Sequence, residues 1–188
     1  MKNLFSICVL AVVLSGCASP KSSRGWVLKA EVGKQYPDFV YVDERGVQRS
    51  LRNLKGDFTV LAFTRCDQDA HGPATAALQT TVAENDGARF VRVVGVDVHW
   101  FEGQCDHGRC HLVEDNRDMF SICDATGAVR RLYGVNDGVA AVVIGPDGRV
   151  FQIAAQIDDR LFREQLKAAV IEESNRISQE LSEKYGNI

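Results

Sequence analysis

Apolar runs along the chain alternate with polar, glycine-containing joints, and the period of each run predicts its element. Residues 36–57, "YPDFVYVDERGVQRSLRNLKGD", alternate apolar and polar positions around "DERG", the pattern of a β-hairpin. Residues 58–64, "FTVLAFT", are apolar and β-branched, as a central strand buried on both faces should be. "PATAALQTTVAEN" (73–85) predicts a helix with Pro73 in its first turn and "NDG" as its stop. "ARFVRVVGVDV" (88–98) predicts a second apolar strand. Strand, helix and strand at this spacing predict a βαβ crossover with parallel strands.

The rest of the chain reads by the same rules. "HWFEGQCDHGRCHLVEDN" (99–116) has no clean period and predicts a long loop, anchored by Trp100 and Phe101. Loops of that length in compact domains are usually functional. "MFSICD" (119–124) predicts a short strand whose Cys123, among apolar neighbours, is expected in the core. "AAVVIGPDGRVFQIA" (140–154) predicts two antiparallel strands turning at Asp147-Gly148. Residues 158–185 are amphipathic, with Phe162, Leu166, Val170, Ile177 and Leu181 at helical intervals, a face expected to cover a sheet.

The amino terminus carries an address. "MKNLFSICVLAVVLSGCASP" has one basic residue, an apolar stretch too short for a good transmembrane span, and the ending "LSGC". It has the proportions of a secretory signal peptide, and "LSGC" resembles a bacterial lipobox. The resemblance implies cleavage after residue 16 and lipid on the Cys17 thiol. Ala18 in the next position resembles an outer-membrane sorting signal of Gram-negative lipoproteins. The expected organisation is a signal peptide over 1–16, a small polar tether over 17–26 ("ASPKSSRG" at 18–25) and one domain over 27–188. The expected location is the bacterial cell envelope, lipid-anchored at the outer membrane and facing the periplasm. The chain has 22 basic and 25 acidic residues, a formal net charge of −3, and no basic cluster, which argues against a nucleic-acid partner.

With Cys8 in the signal and Cys17 lipidated, Cys66, Cys105, Cys110 and Cys123 remain. In an oxidising compartment they permit three complete pairings, among which sequence does not choose.

Four segments in order resemble the enlarged redoxin type of thioredoxin fold: "VGKQYPDFVYVDERGVQRSLRNLKGD", "VLAFTRC", "FVRVVGVDV" and "RLYGVNDGVAAVVIGPDGRVF". The similarity spans about Val32 to Ala169. It implies an α/β thioredoxin-like fold, with a central mixed sheet flanked by helices. "FTRC" and "VVIGPDG" are similar to Sco-type copper proteins, which implies a copper carrier or assembly factor. The second copper cysteine would fall at Ala70 and the histidine near Asp137. Peroxiredoxin positions for threonine and proline hold Phe63 and Thr59. The thioredoxin Cys-x-x-Cys would need a cysteine at Asp69, and its cis-proline position holds Val139.

Two constellations carry the candidate chemistry. Cys66 ends an apolar strand just before a helix, where backbone N–H groups and the helix dipole lower a thiol pKa. Arg65 favours the thiolate, while Asp67 and Asp69 oppose it. A buried, inert cysteine is the alternative. The second constellation is "HWFEGQCDHGRCH", with Cys105, His107, Cys110, His111 and His99 upstream. Thiolate and imidazole suit Cu(I) or Zn(II), so Cys66, His71, Cys105, His107, Cys110 and His111 are candidate ligands. A Cys105–Cys110 disulfide bracing the loop is an equally direct reading. A third joins the two sites, with Cys105 or Cys110 resolving a mixed disulfide or sulfenic acid on Cys66. Cys66, Cys105 and Cys110 are thus the candidate catalytic residues, and a protein thiol or disulfide, or a small oxidant, the expected partner. The expected activity is thiol–disulfide exchange or peroxiredoxin-like reduction. A metal carrier and a thioredoxin-fold binding protein with a degenerate site are the alternatives.

Overall fold

The structure, a computed structural model, describes residues 30–42, 47–54, 56–65, 71–100, 118–124, 126–135 and 140–186. The predicted hairpin is present as β1 (Val40–Val42) and β2 (Gln48–Ser50), paired antiparallel, with the "DERG" turn outside the described residues. A 3₁₀ turn at Leu51–Asn53 follows. There the Ser50 hydroxyl accepts from Arg52 N and the Asn53 side chain accepts from Ser50 N, a reciprocal cap that sends the chain into the sheet.

The main sheet contains β3 (Phe58–Arg65), β4 (Val93–Trp100), β5 (Met119–Asp124), β6 (Ala140–Ile144) and β7 (Val150–Ala154), in the spatial order β5-β4-β3-β6-β7. β3, β4 and β5 run parallel, while β6 and β7 are antiparallel to their neighbours. The central strands β3 and β4 are buried almost throughout, which is why their sequences read as continuous apolar runs.

Helices cover both faces. α1 (His71–Ala83) and α3 (Arg160–Tyr185) lie on one, where Ala74, Leu78, Val82, Phe162, Leu166 and Val170 pack against alternate residues of β3 and β4. On the other face, Tyr36, Phe39, Leu51, Leu54 and Tyr133 pack with Leu61, Phe63, Val94, Val96 and Val98. α2 (Ala128–Leu132) sits at that face. Asp159 caps α3 by accepting from Phe162 N at 2.9 Å, and Asn85 closes α1 by donating to Thr81 O at 2.7 Å. Gly95 permits the close approach of α1 to β4. A Cβ there would come within 2.9 Å of Val82 Cγ2 and 3.2 Å of Leu78 Cγ, and would also strike Met119 Sδ.

The structure corrects three expectations. β4 begins at Val93, because residues 88–92 form the turn that brings the chain back from α1, and it runs on through His99 and Trp100. Those two residues are buried strand positions, held by pairing on both sides, and not part of a loop. Cys123 is exposed: it lies on β5, which among the described residues is an edge strand paired only with β4.

Candidate functional site

The site is built at the carboxyl edge of the parallel strands, where ligands gather in open α/β sheets. Arg65, the last residue of β3, is the register partner of Trp100, the last residue of β4. Trp100 in turn pairs with Asp124, the last residue of β5. One row back, Thr64, His99 and Cys123 are aligned across the same three strands. The chain leaves β3 at Arg65 toward Cys66 and leaves β4 at Trp100 toward Cys105 and Cys110, so both cysteine-bearing segments depart from register partners.

On the α1 face of this edge lies a buried polar network. Asp97, fully buried, accepts hydrogen bonds from the Thr64 hydroxyl at 2.8 Å and the Thr75 hydroxyl at 2.7 Å, one on each carboxylate oxygen. His99, also buried, places Nδ1 3.1 Å from Thr64 Oγ1 and Nε2 3.6 Å from Asp97 Oδ2. The network therefore ties β3, β4 and the second turn of α1 together.

The opposite face presents aromatic and cationic groups. The Trp100 indole is buried, with the Arg130 guanidinium 3.6 Å from its ring centroid and that of Arg65 5.3 Å away. Asp124 joins α2 to this end of the sheet by accepting from Arg130 N at 2.8 Å. Deeper in the same layer, the Tyr133 hydroxyl donates to Pro37 O at 2.6 Å, and burial pushes its phenol well above the ordinary value.

Cys66, Cys105, His107, Cys110, His111 and the lipidation candidate Cys17 lie outside the described residues, as do Asp67, Asp69, Asp137 and Val139. His71 opens α1. Among the described residues, no three metal-ligating side chains form a cluster. No helix among them is long and apolar enough to cross a membrane. The Thr64–Asp97–His99 network was not anticipated from sequence. Its signal is the period of two in "GVDVHW": Asp97 and His99 interrupt an otherwise apolar strand at alternate positions, which puts both on one face.

No protein-family model and no curated protein matches the sequence. Solved structures do match in shape. A thioredoxin-like protein from Bacteroides caccae aligns over 74% of this chain with a TM-score of 0.59 and 18% identity; the chain spans 50% of that protein's length. A structure described as a putative thiol:disulfide interchange protein DsbE from Chlorobium tepidum aligns over 78% of this chain and 99% of its own, with a TM-score of 0.59 and 18% identity. A secreted Mycobacterium tuberculosis disulfide oxidoreductase, described as homologous to E. coli DsbE, aligns over 71% and 95%, with a TM-score of 0.52 and 19% identity. The mixed sheet, its strand order and these likenesses show that the chain has a thioredoxin-like fold.

Proposed function

We propose that the chain carries out thiol–disulfide exchange, with Cys66 as the nucleophile and Cys105 or Cys110 as the resolving thiol. The observation that carries this reading is the Arg65–Trp100 register pair. Two segments bearing three of the cysteines continue adjacent parallel strands from one edge of a thioredoxin-like sheet. Exchange needs a thiolate, which a helix N-terminus favours where it comes within a turn of the thiol, and α1 begins five positions after Cys66. In the step itself, the Cys66 thiolate attacks one sulfur of a disulfide, a mixed disulfide forms, and the other sulfur leaves as a thiolate. Cys105 or Cys110 then attacks the mixed disulfide and releases the reduced partner. Peroxide reduction is the weaker version of the reading, because Phe63 stands where peroxiredoxins have threonine. The setting we propose is the cell envelope, with the domain tethered to the outer membrane by lipid on Cys17.

The test is peptide-resolved alkylation and glutathione-disulfide treatment of the reduced, folded chain, with Cys66→Ser as control. The reading expects rapid labelling at Cys66, then a disulfide from Cys66 to Cys105 or Cys110. A Cys66 that stays inert to both reagents while the chain is folded would sink it. Stoichiometric Cu(I) or Zn(II) binding by the reduced chain, without exchange activity, would favour the metal-carrier alternative.

A further inference from the structure

We draw no further inference here: the strongest candidate, the pocket between the end of β7 and the start of α3, walled by Ile153, Ala154, Leu161 and Phe162 beside Asp159, carries none, because nothing in the structure shows what covers it.

Discussion

Replacing Thr75 with valine removes one of two hydroxyls that satisfy a fully buried carboxylate, while keeping nearly the same side-chain volume. Hydrogen bonds to charged groups contribute about 1.5–3 kcal/mol each, and valine supplies no replacement donor. Thr75→Val should therefore destabilise the fold by about 2 kcal/mol. Asp97→Asn should cost more. A carboxamide offers one acceptor oxygen where two hydroxyls now donate, and its NH₂ would face hydroxyl oxygen or imidazole. With both hydroxyl hydrogen bonds to the carboxylate disturbed, a loss of about 3 kcal/mol is expected. Against a typical total of about 5–15 kcal/mol, that is a large fraction. The assay is urea unfolding followed by far-ultraviolet circular dichroism, accepting only variants whose m-value matches wild type. The double variant should lose less than the sum of the two single losses, because both remove the same bond. An Asp97→Asn change costing less than about 0.5 kcal/mol, or strictly additive losses, would refute the reasoning.

Three further outcomes are expected. Tyr133→Phe leaves the buried Pro37 carbonyl without its donor, which should cost about 1–3 kcal/mol at neutral pH. Because burial raises the Tyr133 pKa, wild type should also lose stability as pH rises past about 10, where only the unfolded chain ionises; in the phenylalanine variant, urea midpoints should show less of that alkaline loss. Gly95→Ala forces a methyl group against Val82, Leu78 and Met119, and should lower stability by about 1–3 kcal/mol in the same unfolding assay. Glu173, hydrogen-bonded to Arg176, has its carboxyl pKa lowered, so its contribution is present at neutral pH and lost as pH falls through the acid range. The stability gap between wild type and Glu173→Gln should therefore be full near about pH 6 and narrow as pH falls below about 4.

Most of the fold was legible because local pattern and global position agree in it. β3 and β6 announce themselves as apolar runs because both faces of the sheet are covered, and α3 shows its buried stripe of Phe162, Leu166 and Val170 at helical intervals. Errors arose where topology, not local pattern, decides burial. Cys123 has apolar neighbours, but only the strand order makes β5 an edge. His99 and Trp100 precede a long polar segment and read as its start, although pairing with β3 and β5 holds them in β4. The polar network stayed hidden because Thr64, Asp97 and Thr75 come from three elements, and their meeting depends on register and helix placement. The proposed chemistry at Cys66, Cys105 and Cys110 rests on where their segments leave the sheet, not on side-chain geometry.

The Arg65–Trp100 pair also bears on rates. Cys105 is five positions beyond Trp100, so chain length alone confines its Cα to within about 18 Å of the Trp100 Cα. Cys66 is bonded to the residue paired with Trp100. In the proposed exchange, two thiols some forty positions apart in sequence would thus act as a short-tethered pair, with an effective concentration on the order of millimolar. If the proposed exchange operates, a free thiol in solution would have to reach a comparable concentration before it intercepted a mixed disulfide on Cys66 as often as the chain's own cysteine would.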